Sequence, residues 1–439
     1  MNSSSGQRKQ DSCYSWVVCI CGTLASAVTI GLMFSFGVLY PVLLDHFKES
    51  KDKTAWVGSL GIALIFFSGP VTGILINRFG CRTISLVGAV TCAVSLVLTS
   101  FSNNLVTMYF AYSVLFGLGT SLVFAPSLVI VGRYFDKRRA FATGIFGSGG
   151  SLGIMCLGPI LDSLLSAYGW RYTYRIMAAA VLGICLLGCF YDPNVEKDPH
   201  QVTRDDPSLT QSAEEIPLLH KEKQLNVRVW RNPEFVKTAL LAAVVSFGQY
   251  SPSLHLVRYC EDIGISSEMA SKLYIYNGIS SIFGKILFGR LCDFECVNAR
   301  YVCQTAEFLA GTATILVTLS KNYAVLAAYV VVFGICEGAY ISTLIIVMLT
   351  CVPDEQRATA IGWQWFLSSF SLASGPPLVG LMAEKLGSYV PAFYMVGGVI
   401  IFGSMVPFLL QCFPQQSSET IHANGPAEYS ELPCENNDE

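Results

Sequence analysis

Apolar runs of eighteen or more residues recur along this chain, separated by short clusters rich in charge, Gly, Asn and Pro. Each run is long enough to cross a hydrocarbon core of about 30 Å as a helix. Twelve can be marked: 15–44, 54–76, 83–101, 105–131, 140–165 and 172–190, then 235–256, 273–291, 302–319, 323–352, 358–381 and 389–412. The pattern predicts an all-α membrane protein of twelve transmembrane helices in two six-helix halves. Its organisation is an N-terminal segment (1–14), a first bundle (15–192), a polar linker loop (193–234), a second bundle (235–413) and a tail (414–439). The tail holds six acids and no Lys or Arg, a composition expected to stay disordered. The first run is too long for the apolar region of a cleavable signal, so it is expected to insert uncleaved.

Composition agrees with the pattern. Hydrophobic residues make up 52% of the chain and charged ones 13%, about half the share usual in soluble domains. Loop by loop, the termini and the loops on their side hold eighteen Lys and Arg and the other side nine, and Lys285 is the last of the 28. Basic residues concentrate on the cytosolic face of membrane proteins, so both termini and the long linker are expected in the cytosol. The net charge of −3 selects no partner, and nothing points to nucleic acid. Most of the sixteen cysteines fall in the runs or in cytosolic segments, where disulfides are not expected, and Cys260 faces outside. Cys292 and Cys296 have ligand-like spacing without a nearby His, so no metal and no cofactor is expected. A nucleophile elbow, a P-loop and a large polar domain are all missing, which argues against an enzyme.

The two halves repeat one plan. "RAFATG" after run four matches "RATAIG" after run ten, pairing Arg139 with Arg357 and Gly144 with Gly362, each 218 positions apart. "GILINRFG" after run two aligns with "GRLCDF" after run eight, Gly73 with Gly289, 216 apart. Transporters with such parallel repeats bind substrate near the midplane between halves and rock one half against the other.

"GILINRFGCR" resembles the signature loop of the major facilitator superfamily, with Asn77 at a usual aspartate and Asp293 as the counterpart in the second half. "YFDKRRAFATGIFGSGGSLG", 134–153, resembles the fifth-span motif of the monocarboxylate transporter family. That family's other motif survives in part as "DSCYSW", where Asp11 and Trp16 remain and the glycines do not. "SFGVLYPVLLDHF" and "HLVRYCEDIGIS" are similar to it as well, so the likeness covers the core but not the linker or tail.

Ionisable residues inside the membrane cost about 2.5–3.5 kcal/mol each on insertion scales, so each needs a partner, a water-filled cavity or an escape route. Asp162, Lys285, Glu307 and Glu337 are the candidates. Glu337 is the only charge between Asn322 and Pro353, and the small neighbours in "GICEGAY" let a ligand or a helix approach. Lys285 lies five residues, about 7.5 Å of helix, before Arg290, within snorkelling reach of the interface. Yet Asn277 and Ser281 share its helix face, which makes that face polar. Glu307 and Asp162 carry weaker expectations, Glu307 as a helix–helix partner and Asp162 in an outer vestibule. Phe34, Tyr340, Trp365 and Phe366 are candidates for an amphipathic pocket, against the ordinary packing role of single aromatics.

The resemblance places Lys285 where the family usually has an arginine in span eight, and Glu337 on its acidic span-ten position, typical of branches beyond the lactate carriers. Those branches include carriers of aromatic amino acids and related amphipathic metabolites. It implies that Lys285 attracts a substrate carboxylate while Glu337 balances it in the empty site. A lysine is a point charge without an arginine's bidentate fork, so carboxylate geometry is less strictly enforced. The lactate carriers' span-one lysine and span-eight aspartate correspond here to Val38 and Ser281. Facilitated transport therefore stands beside proton symport. Asp136, Arg138 and Arg139 after span four, with Arg78, Arg82 and Asp293, are expected to pair between helix ends in one access state only. The resemblance implies a plasma-membrane carrier, possible need of a single-span glycoprotein chaperone included; a channel or a substrate-sensing receptor is the alternative class.

Overall fold

The computed structural model describes residues 8–135, 138–192, 195–196, 227–292, 294, 297–352 and 357–411. Apart from a parallel contact of two-residue strands, Arg8–Lys9 with Val195–Glu196, its regular elements are helical. Among the described residues nine helices are long and apolar enough to cross a membrane, or ten if the bent pair Lys51–Phe67 and Gly69–Phe79 is one span. Two features reconcile ten with twelve. The helix Arg139–Cys185 is two spans, broken at Gly169, whose φ of 73° and ψ of 166° suit a residue without a Cβ. The helix Ser267–Leu291 carries Glu268, Lys272, Lys285 and Arg290, too many charges to pass on hydropathy, yet it packs between the fifth and tenth spans.

The spans are thus span 1, Cys13–Phe47; span 2, Lys51–Phe67 with Gly69–Phe79; span 3, Cys81–Ser100; span 4, Leu105–Tyr134; and spans 5 and 6, the two parts of Phe141–Phe190. Span 7 is Pro233–Asp262, span 8 Ser267–Leu291, span 9 Ala299–Leu319, span 10 Tyr323–Cys351, span 11 Arg357–Lys385 and span 12 Val390–Gln411. One end of the bundle carries residues 8–12 and the ends of the linker, and is called the terminal end; the opposite one is the distal end. The linker is not wholly detached from the bundle. Val229 is buried, and Trp230 packs edge-on against Phe235 and Trp363, at 5.4 and 5.8 Å between ring centres.

The repeat extends to helix breaks. Span 1 is interrupted at Ser35 and span 7 at Tyr250, a separation of 215 positions, close to the 216 and 218 of the sequence repeat. The breaks meet: the Tyr250 hydroxyl donates to the Met33 carbonyl at 3.1 Å, and the Phe34 and Tyr250 rings lie 5.3 Å apart, edge to face.

Lipid supplies no hydrophobic drive between helices, so close approach of small residues sets the packing. The glycines of "GSGGSLG" seat span 5 on span 1. A Cβ at Gly149 would lie 2.7 Å from the Thr23 carbonyl oxygen, and one at Gly153 would overlap the Ala27 carbonyl. In the second half, Gly284, Gly334 and Gly338 bring spans 8 and 10 to backbone contact; a Cβ at Gly338 would stand 2.7 Å from the Lys285 backbone nitrogen. By contrast, a Cβ at Gly144 meets nothing among the described residues. Gly153→Leu should therefore force spans 1 and 5 apart, costing about 1–3 kcal/mol or more as overpacking does. Thermal unfolding of the purified protein should show a clearly lower Tm for Gly153→Leu and a wild-type Tm for Gly144→Ala; equal Tm values for both would contradict this packing.

Candidate substrate site and the seam between halves

The halves touch along three lines: span 2 on span 11, span 5 on span 8, and the distal parts of spans 1 and 7 on each other. The line between spans 5 and 8 can be followed residue by residue. At the distal end Ser267 donates to Asp162 at 2.5 Å, so this buried aspartate caps the seam instead of lining an open vestibule. A turn inward, Gly158 lies under Tyr274, and Gly278 under Met155. Ser151 and Ser281 share a hydrogen bond of 3.0 Å. The Lys285 ammonium then reaches across to span 5, donating to the Ser151 hydroxyl at 2.7 Å and to the Gly147 carbonyl at 3.3 Å.

Three of the expected site residues, Asn277, Ser281 and Lys285, therefore lie on one face of span 8. Asn277 and Ser281 are buried, and the Asn277 carboxamide oxygen has no hydrogen-bond partner. Glu337 faces Lys285 because the glycines of spans 8 and 10 let the two backbones touch. The two groups interact electrostatically, but no nitrogen–oxygen contact within 4 Å joins them, and both side chains are half-buried. What holds the lysine is neutral: a hydroxyl and a carbonyl satisfy its donors without cancelling its charge. Phe34 sits against Tyr250 at the paired helix breaks. Trp365 packs on Phe66 and Phe124, at 5.7 and 6.4 Å, joining the halves between spans 2, 4 and 11; Phe366 stacks on Phe67 at 5.3 Å. Tyr340, one turn after Glu337, is buried beside Glu307 and Cys303.

The distal end is shut by a cluster that sequence reasoning missed. Span 1 brings Tyr40 and Asp45, span 2 Lys51, span 7 His255, Arg258 and Asp262, and spans 11 and 12 Glu384 and Tyr389. Arg258 contacts Asp45 at 3.4 Å and Asp262 at 3.3 Å, and Lys51 contacts Asp262 at 3.9 Å. The Lys51 backbone N–H donates to Glu384 at 2.8 Å while its ammonium lies 4.5 Å over the Tyr389 ring. Beneath them His255 is fully buried, donates from Nε2 to the Pro376 carbonyl at 2.9 Å and packs edge-on against Tyr40 at 4.9 Å. Cys260, expected to face outside, is buried at this closed end. The signal available in sequence was the i, i+3 and i, i+4 spacing of Arg258 with Glu261 and Asp262, which reads equally as a solvated helix end.

The terminal end differs. Span 2 bends by 49° near Ser68. Cβ atoms added at Gly73, Gly289, Gly144 or Gly362, the repeat pairs, meet nothing within 4 Å among the described residues. Arg78 lies over its neighbour Phe79 at 5.3 Å, and Arg82 and Arg138 make no ion pair among the described residues. Asp136, Asp293 and the Arg139 side chain lie outside the described residues, as do Cys296 and the tail.

The Major Facilitator Superfamily model matches residues 22–301 and 261–430, and the chain belongs to that superfamily. It is similar to Monocarboxylate transporter 10 of Rattus norvegicus, at 29% identity over 417 residues, 94% of this chain and 81% of that protein. It is also similar to Monocarboxylate transporter 4 of Gallus gallus, at 26% identity over 98% of this chain and 89% of that protein. In fold it is similar to a bacterial homolog of the human lysosomal transporter Spinster in an inward-facing and occupied conformation. There the TM-score is 0.72 at 16% identity, over 92% of this chain and 98% of that one. The chain is a multi-pass secondary transporter, not an enzyme.

Half-exposed ion pairs contribute about 0.2–1 kcal/mol each, so removing Arg258 should shift the balance between closed and open distal ends by up to about fivefold. With spin labels on Lys48 and Leu386, Arg258→Ala should add a longer-distance population in double electron–electron resonance. An unchanged distance distribution would mean that these contacts do not hold the end shut.

Proposed function

We propose that this transporter carries small organic monocarboxylates across the plasma membrane by alternating access, with both termini in the cytosol. The reading is carried by Lys285, a cation at the seam between halves that is bonded only to neutral groups of the opposite half. A carboxylate brings the opposite formal charge that the Ser151 hydroxyl and the Gly147 carbonyl lack, so it is the better partner for this ammonium. Glu337 supplies the balancing charge in the empty carrier, which lowers the cost of holding a lysine inside the membrane. Asn277 and Ser281, on the same face, offer further hydrogen bonds to a bound substrate.

The twofold excess of basic residues on the terminal side orients that end toward the cytosol. In that orientation the Arg258 cluster is the outer gate. Arg78, Arg82, Arg138 and Arg139, with Asp136 and Asp293, then form the opposite gate, engaged when the repeat glycines close on their neighbours. Its similarity to monocarboxylate transporters supports a monocarboxylate substrate. An aromatic amino acid is the second reading, favoured by the Phe34–Tyr250 and Phe66–Trp365 pairs and by Glu337 as a partner for an ammonium group.

Uptake of labelled L-lactate by cells displaying the protein, read beside cytosolic pH, tests the proposal. Saturable, trans-stimulated uptake is expected. Lys285→Gln should raise the half-saturating concentration at least about tenfold, the equivalent of 1.4 kcal/mol, with unchanged surface amount, while Lys285→Arg should keep most of the affinity. Uptake of L-phenylalanine but not lactate would establish the second reading, and uptake indifferent to Lys285→Gln would remove Lys285 from the site.

A further inference from the structure

Behind the seam, at the junction of spans 7, 9 and 10, a second carboxyl is enclosed completely. Glu307 is 0% exposed, and neither of its oxygens has a partner by hydrogen-bond geometry. Around it the Gln249 carboxamide, the Gln304 carbonyl oxygen and the Tyr340 hydroxyl are also buried without partners. Four polar side-chain atoms besides those of a carboxyl are seldom left together in a packed interior unless a ligand or an exchangeable proton belongs there.

In this conformation no cation among the described residues faces Glu307. The titratable groups facing Glu307 are Glu337, Tyr340 and Cys336 of span 10 and Cys303 of its own span. Span 7 presents Gln249 and Ser246, both neutral, and span 12 packs on span 9 through Gly397 and Ile401. Arg300, the nearest cation on span 9, lies seven residues away, about 10 Å along the helix, and is paired with Glu234 at 2.6 Å. An ionised carboxylate held there without a cation would cost several kcal/mol.

Gln249 shows which form fits. Its carboxamide is within bonding reach of Glu307 and has both a donor and an acceptor free. A protonated carboxyl matches that pair, donating its O–H to Gln249 Oε1 and accepting from Nε2; a carboxylate accepts only, and would set its charge against Oε1. On the terminal side, a cleft lined by Glu234, Lys237, Arg300, Cys303 and Gln304 ends one helical turn from Glu307. On the other side stands Glu337, so Glu307 lies between that cleft and the Lys285 site.

We infer that Glu307 is the proton-binding site of the transport cycle, loaded as a carboxylic acid against Gln249 and unloaded toward the cleft at Gln304. In unloading, the Glu307 O–H bond breaks, its electron pair stays on the carboxylate, and the proton passes to a water molecule in the cleft; loading is the reverse. This rests on the carrier reading of the preceding section and makes the carrier a proton symporter, although the lactate carriers' span-one lysine and span-eight aspartate are replaced by Val38 and Ser281.

The test uses the full chain in proteoliposomes with labelled L-lactate and L-phenylalanine as probes. A glutamine at 307 mimics the loaded acid, so Glu307→Gln should exchange probe across the membrane within about twofold of wild type while losing about tenfold or more of the accumulation driven by a proton gradient. Retained proton-driven accumulation in Glu307→Gln would overturn the inference, as would wild-type exchange that moves no protons. Loss of exchange along with accumulation, in a variant of wild-type Tm, would overturn it too. If Glu307→Gln does not fold, Glu307→Asp is read instead, with a shift of about half a pH unit or more in the midpoint of coupled uptake expected and an unshifted midpoint contradicting. Wild-type protein that exchanges neither probe would bring down the carrier reading, and the inference with it.

Discussion

An ammonium group inside a bilayer has to be satisfied by something, and the way Lys285 is satisfied organises this transporter. Its hydrogen bonds run to Ser151 and Gly147, on the other half of the molecule. The group expected to attract substrate is therefore also a tie between the halves. Because both partners are neutral, the tie meets the geometric demand of the lysine and leaves its charge uncompensated except by Glu337 at longer range. On the proposed reading, a carboxylate arriving at Lys285 competes directly with this contact, and occupancy is coupled to the state of the bundle through differential affinity.

The rest of the architecture puts that lysine where it is. Gly284, Gly334 and Gly338 allow spans 8 and 10 to meet at backbone distance, and Gly149 and Gly153 do the same for spans 5 and 1. Side chains on any of these would push Lys285 away from Glu337 or Ser151 away from Lys285. The paired breaks at Ser35 and Tyr250 sit where spans 1 and 7 cross the seam, joined by the Tyr250 hydroxyl and the Met33 carbonyl. Interrupted helices placed symmetrically in two repeats mark the substrate region in many transporters, because freed backbone groups are tolerated only beside a cavity or in packed protein.

Much of this was legible in sequence. The spans, the repeat and the polar face of Asn277, Ser281 and Lys285 follow from periodicity and from the cost of charge in lipid, which act locally. Span 8 was legible too, as the run 273–291, although its charges lower its mean hydropathy. The distal cluster was not legible, because Tyr40, Lys51, His255, Arg258 and Glu384 come from segments up to 344 positions apart and each looks like an ordinary residue near a helix end. Asp162 shows the same difficulty, since its cap on Ser267 depends on which span faces which. Glu307 was visible as a charge, but its isolation depends on Gln249 and Tyr340 from other helices. Pairwise contacts across the fold decide such roles, and local pattern does not contain them.

The most direct test of the central claim is a cryo-electron microscopy structure of the full chain with a saturating short monocarboxylate such as L-lactate. Density for the carboxylate is expected within hydrogen-bond distance of Lys285 Nζ, with the bond from Lys285 to Ser151 given up. Lysine still held by Ser151 and Gly147, with the anion bound elsewhere, would contradict it.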